Sequence, residues 1–114
     1  DKDIPVLIFS DDIPWCSQQE MFSPDRFLLS EGGERYAHVH LDADGQMRHS
    51  LIPYIDLCLM SLCSGGIIAN SSMSWWGAWL IENPTQPIIA PQKWYGPAAT
   101  VDDSDLIPER WERI

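Results

Sequence analysis

The first strong pattern along the chain is Ile4-Pro5-Val6-Leu7-Ile8-Phe9-Ser10, an apolar run rich in branched residues that stops at Asp11 and Asp12. Continuous rather than alternating hydrophobicity marks a strand covered on both faces, as strands of parallel sheets are. From Asp12 the spacing turns helical. Ile13, Trp15, Cys16 and Gln19 share a helical pattern, Pro14 is tolerated near a helix start, and the helix is expected to stop near Phe22, before Ser23-Pro24. A short second strand is expected over 26–29, a break at EGGE (31–34), an alternating strand over 36–41 and a turn at DADG, 42–45.

In the second half, Pro53 opens a helix whose apolar face is expected to be Ile55, Leu59 and Leu62, ended by Ser64-Gly65-Gly66. A strand over 66–69, a helix over about 72–82 stopped by Asn83-Pro84, and a strand within QPIIAP at 86–91 follow. In the 72–82 helix, Met73, Trp76, Trp79 and Leu80 are expected to face the sheet, with Gly77 and Ala78 admitting a close neighbour. The tail over 95–114 reads as a Pro-punctuated strap that docks Trp111 on the body. The order β, α, β, α, β predicts an α/β fold: one Rossmann-like, three-layer domain with a mainly parallel sheet, spanning 1–114 without repeat or second domain.

Composition narrows the function. At 114 residues and 45% hydrophobic content the chain is a packed domain rather than a disordered segment. Its net charge of −10, against seven lysines and arginines, offers no basic run for a polyanionic backbone, so a nucleic-acid partner is not expected. No apolar run approaches the roughly 20 residues that span a bilayer, and the acidic start lacks signal-peptide regions, so a soluble chain is expected. Cys16, Cys58 and Cys63 read as reduced, buried thiols. Cys58 and Cys63 stand five apart on a helix, beyond the roughly 7 Å that a disulfide bridges. His38 and His40 point the same way from a strand, but without CxxC or HExxH spacing they read as solvent-facing, and no metal is expected.

Candidate chemistry concentrates in IIANSSMSWWGAWL, 67–80. In open α/β sheets ligands gather beyond the carboxyl ends of strands, where covering helices begin. Asn70, Ser71, Ser72 and Ser74 sit at such a place, and free helix-start amides with serine hydroxyls make an anion receptor suited to phosphate. The same serines also suit a plain helix cap. Trp75 projects off the expected core face and suits either a pocket wall or a neighbouring lobe. Asp11 and Asp12 end the first strand, and Asp56 falls in the first turn of the 53–62 helix. Capping and dipole pairing account for all three, while a carboxylate also suits the paired N–H donors of a guanine edge or a ribose hydroxyl.

FSDDIPWC at 9–16, YIDLCLMSLCSGGIIANSSMSWWGAWL at 54–80, PIIAPQKWY at 87–95 and IPERW at 107–111 together resemble the carboxyl-terminal part of the bacterial α-1,2-fucosyltransferases, of glycosyltransferase family 11 type. The resemblance covers the chain except the region from Met21 to Leu51. It implies the donor-binding lobe of a GT-B-type enzyme and transfer of L-fucose from GDP-fucose to a galactose-containing glycan, with inversion and without metal or other cofactor. By the same resemblance Asn70, Ser71, Ser72 and Ser74 bind the donor pyrophosphate, and Asp56 with Ser10, Asp11 and Asp12 meets guanine or ribose. Met73 stands where phenylalanine is common. The family's amino-terminal HxRRxD-like motif does not occur in these residues. The chain thus reads as the donor half of a longer two-lobe enzyme, inactive alone, whose catalytic groups lie on the other lobe. A cytoplasmic location, with peripheral attachment of the full enzyme to the inner membrane, is what the resemblance implies. The rival readings are a carbohydrate-binding module that stacks sugars on exposed tryptophans and a purely structural domain.

Overall fold

A computed structural model describes residues 4–30, 40–41, 47–48 and 52–114. The chain divides into two compact units, Asp1–Asp56 and Leu57–Ile114. The strand expected over 36–41 and the turn at 42–45 lie largely outside the described residues.

In the first unit β1 (Val6–Ile8) is followed by α1 (Ile13–Ser17) and by β2 (Phe27–Leu29), which pairs with β1 in parallel, Val6 opposite Phe27 and Ile8 opposite Leu29. This is the expected strand, helix, parallel strand, but α1 is five residues long and does not reach Phe22. Local side chains compete for its carbonyls: Ser17 Oγ donates to the Pro14 carbonyl at 2.8 Å and Gln19 Nε2 to that of Trp15 at 3.0 Å. Such bonds offer the backbone an alternative to helix propagation. β3 (His40–Leu41) and β4 (Met47–Arg48) pair antiparallel, a hairpin that departs from the parallel pattern.

Helix α2 (Ile52–Ser61) crosses into the second unit, where β5 (Gly66–Ile67), α3 (Ser72–Trp79), β6 (Ile88–Ala90) and β7 (Glu112–Arg113) follow. The three strands form one sheet in the order β5-β6-β7, parallel throughout, with Gly66 opposite Ile88 and Ala90 opposite Arg113. The alternation of helix and parallel strand makes the fold α/β, as the sequence pattern predicts. The tail does more than strap, because its last residues are a strand. Ile68, Ala78, Ile81, Ile88, Ala90, Ile107 and Trp111 form the core, with Trp75, Trp94 and Leu106 packed against it. Trp111 is docked as expected, at 4% exposure.

Between α2 and β5 the chain turns through Gly65, whose φ of +154° lies where side chains are strained. A Cβ there would also stand 2.6 Å from the Pro87 carbonyl oxygen, so the turn needs glycine twice over.

Two helix faces differ from expectation. On α2, Ile55, Leu59 and Leu62 are exposed, and the withdrawn positions are Asp56 and, further along, Met60 and Cys63. On α3, Trp76, Trp79 and Leu80 are exposed by 52%, 43% and 46%, whereas Trp75, Ala78 and Ile81 enter or line the core. Within the second unit one close contact accompanies these shifts. Gly77 leaves a notch into which the Met60 side chain fits, and a Cβ at Gly77 would lie 2.7 Å from both Cβ and Sδ of Met60. That close approach turns Met60, not Leu59, toward α3. The cysteines are free, but only Cys16 is fully buried; Cys58 is exposed and Cys63 half-buried, its thiol pushed up from its ordinary value by that partial burial.

Gly77→Ala should therefore lower stability by about 1–2 kcal/mol in urea melts, since overpacking outweighs the gain of about 1 kcal/mol in helix propensity. In the background of Met60→Ala the same substitution should cost less or become favourable. An unchanged or raised midpoint in the Met60 background and in the wild type alike would show that the helices do not interlock.

Candidate functional site

The carboxyl edge of the second unit's sheet is built from two loops, one after β5 and one after β6. After β5 the backbone turns sharply: Ser71 N–H donates to the Ala69 carbonyl at 2.8 Å, and Ser71 becomes the N-cap of α3. Its Oγ accepts from Ser74 N–H at 3.5 Å, a long cap bond, while its carbonyl accepts from Trp75 N–H at 2.9 Å. Ser74 Oγ donates inward, to the carbonyls of Ala69 (3.1 Å) and Ser71 (3.0 Å). Serine fits here because a short hydroxyl can reach back to carbonyls that the turn leaves open.

The cap and the anion receptor thus draw on different groups. Ser71 and Ser74 hold the turn. Ser72 is exposed, and the first-turn amides of Ser72 and Met73 have no acceptor among the described residues. Two amides at the positive end of a helix are what an anion would meet. Asn70 turns the other way, and its Nδ2 donates to the Trp94 carbonyl at 3.2 Å, joining the β5 loop to the β6 loop.

Trp75 has a neighbour in the chain's own tail. Its indole N–H donates to the Leu106 carbonyl at 2.9 Å, and its ring stacks on Trp79 (5.2 Å, 10°) and tilts against Trp111 (5.6 Å). The polar tip of an indole seeks a partner, and this one finds it beneath the strap, within the chain's own tail.

In the first unit, Asp12 N–H donates to Ser10 Oγ at 3.0 Å, and Asp12 Oδ1 caps α1 by accepting from Trp15 N–H at 2.9 Å. Asp11 is exposed. Asp56 lies beyond the first turn of α2, which begins at Ile52, and it is 2% exposed and bonded within the protein. Of this group, then, Asp11 is the carboxylate at the surface without a capping duty, and Asp56 is withdrawn from any solvent-borne ligand.

Sequence reasoning missed the β6 loop. Beyond Ala90 it encloses an open cleft of about 230 Å³ walled by Lys93, Tyr95, Gly96, Pro97, Val101 and Asp103. The motif PQKWYG was the available signal, with Pro91 and Gly96 marking a loop at a strand's carboxyl end. Asp103 braces this loop: its Oδ2 accepts from Trp94 N–H at 3.1 Å and from Arg113 Nη2 at 3.1 Å, and the same Nη2 donates to the Gln92 carbonyl at 2.8 Å. The Trp94 amide first, and Arg113 after it, hold the Asp103 carboxyl below the usual carboxylate range.

Helix-start amides and a loop cleft thus lie at the carboxyl edge of a parallel sheet, the edge where open α/β sheets bind ligands. Residues 2–112 match the family described as Glycosyl transferase family 11. The chain belongs to that family. It is 30% identical over 106 residues to the O-antigen biosynthesis glycosyltransferase WbnK of Escherichia coli, covering 93% of this chain and 29% of that protein. It is 36% identical over 116 residues to an alpha-1,2-colitosyltransferase of Escherichia coli, covering 99% of this chain and 33% of that protein. The chain thus spans about a third of the length of these relatives. No solved structure matches it significantly.

A carboxyl whose folded-state value is depressed stabilises the fold fully above its ordinary value of 3.8, and that stabilisation is lost as pH falls through the lower folded value. Wild type should therefore exceed Asp103→Asn in stability at neutral pH, and the gap should close as pH falls below the ordinary carboxylate value. Thermal melts at several pH values read this directly. A gap that stays constant into acid would mean the charge of Asp103 does not brace the loop.

Proposed function

We propose that this chain is the donor-binding lobe of a GT-B-type, inverting, metal-independent glycosyltransferase. The enzyme moves L-fucose from GDP-fucose to a galactose-containing glycan in α-1,2 linkage. The observation that carries the reading is the pair of open amides at Ser72 and Met73, set at the carboxyl end of a parallel strand in a chain of family 11. The α-1,2 linkage in the name of the colitosyltransferase relative supports the same linkage here.

In this reading the donor diphosphate lies against Asn70, Ser71, Ser72 and Ser74, with the amides and the exposed Ser72 hydroxyl as donors and Ser71 and Ser74 shaping the turn. Asp11, with Ser10 and Asp12 fixing its loop, meets guanine or ribose. Asp56 contributes through α2 rather than by touching the base. The general base for the acceptor hydroxyl and the arginine that stabilises the departing diphosphate belong to the remainder of the enzyme, because an inverting displacement needs both and no group among the described residues is matched to either. Catalysis is cytoplasmic, with the enzyme peripheral to the inner membrane. A lectin-like reading is weaker. Trp75 and Trp79 stack on each other, and the Trp79 ring also carries the Arg110 guanidinium at 5.0 Å, so two of the adjacent tryptophans are already engaged.

The chain alone should bind GDP weakly, to the same extent with and without EDTA, and should transfer no fucose to lactose. Calorimetry and a radiolabel assay read both. Asp56→Asn should lower GDP and ADP affinity equally, through helix stability. A selective loss for GDP would return Asp56 to the guanine edge, and turnover by the isolated chain would show that the catalytic groups are within it.

A further inference from the structure

The cleft beyond β6 has no role in the reading above, and its charge points to one. The unit Leu57–Ile114 contains three cations, Lys93, Arg110 and Arg113. Arg113 is bound to Asp103 and to the Gln92 carbonyl. Arg110 lies over the Trp79 ring at 5.0 Å. Lys93 is exposed with no hydrogen bond, ion pair or ring contact among the described residues, and it stands on the wall of the cleft. The charged residues of its wall are Lys93 and Asp103, and because Asp103 is already engaged by Arg113 and the Trp94 amide, the Lys93 ammonium is the wall charge left unengaged, within a chain of net charge −10.

Position adds to charge. The residue after Lys93 is Trp94, whose carbonyl receives the Asn70 side-chain amide, so the loop that carries Lys93 is tied to the loop that opens α3. Its flank is held by Asp103 on the Trp94 amide. On the other side of Lys93 the Gln92 carbonyl accepts from Arg113, so the segment is held at both neighbours, and a fixed backbone reduces the entropy lost when its side chain closes on a ligand.

We infer that the Lys93 cleft is a diphosphate subsite, in which the Lys93 ammonium meets the phosphates of a nucleoside diphosphate sugar. The inference rests on the donor-lobe reading and deepens it by naming a cation where that reading has only amides and hydroxyls. Lysine serves as a point charge on a flexible stem, which follows a diphosphate from bound donor to released nucleotide without demanding one geometry.

The test uses the whole chain and three probes, GDP, guanosine and inorganic pyrophosphate, titrated by calorimetry into wild type, Lys93→Met and Lys93→Arg. Lys93 makes no contact that holds the fold, and circular dichroism melts of the variants should match wild type. Lys93→Met should lose about 10-fold or more in affinity for GDP and pyrophosphate, the scale of one charge-assisted bond, and nothing for guanosine. Lys93→Arg should retain most of the binding. GDP binding that is equal in wild type and Lys93→Met would overturn the subsite and leave the donor-lobe reading standing. Lys93-dependent pyrophosphate binding without any preference for GDP would uphold the subsite and overturn the guanine-nucleotide reading. No binding of any probe by wild type would overturn both.

Discussion

Burial of Trp111 is the constraint on which the unit Leu57–Ile114 depends. Its indole, three residues from the chain's end, is 4% exposed and sits in the same cluster as Ile68 of the β5 loop and Ile88 and Ala90 of β6. Truncating a buried tryptophan typically costs about 3–5 kcal/mol, a large share of a small domain's stability. Surface ion pairs cannot substitute for that. Once Trp111 is seated, Glu112 and Arg113 fall into register beside β6, and the segment between Pro91 and Arg110 must close into a loop over the sheet's edge. The cleft is the consequence of that closure.

The same seating decides what the tryptophan-rich helix does. Trp75 needs a partner for its N–H and finds the Leu106 carbonyl in the returning tail, while its ring lies against Trp79 and Trp111. Trp75, behind the serines, therefore clamps the tail. What stays open at this edge is polar: two amides, one serine hydroxyl and one lysine. A helix end positions those amides by its own geometry, and the core beneath it keeps the geometry fixed.

The elements were legible because their signals are local. Branched apolar runs placed β1 and β6, Ser-Gly-Gly placed the turn before β5, and serine before an apolar helical run placed the start of α3. Which side of each helix is buried was not legible, because it depends on a contact between Met60 and Gly77 that no periodicity encodes. Apolar residues on both sides of α2 and α3 left the 3.6-residue pattern without a single answer. β7 escaped for a different reason. Glu112-Arg113 has no strand propensity of its own and becomes a strand only because its neighbour Trp111 is buried. The candidate site was half legible: the serine turn shows in sequence, whereas a cleft made by loop closure appears only when the tail is in place.

Charge makes the last constraint on any anionic ligand. A net charge of −10 repels a diphosphate at long range, and screening at physiological salt limits that repulsion to about 8 Å. Binding must then be decided by groups within contact distance. Arg113 is taken by Asp103 and Gln92, and that pairing both stiffens the β6 loop and removes the one carboxylate that would oppose an anion in the cleft. The acidic surface and a phosphate site are compatible for this reason. The fold neutralises Asp103 locally with Arg113, leaving Lys93, ten positions before that aspartate on the same loop, open to an anion.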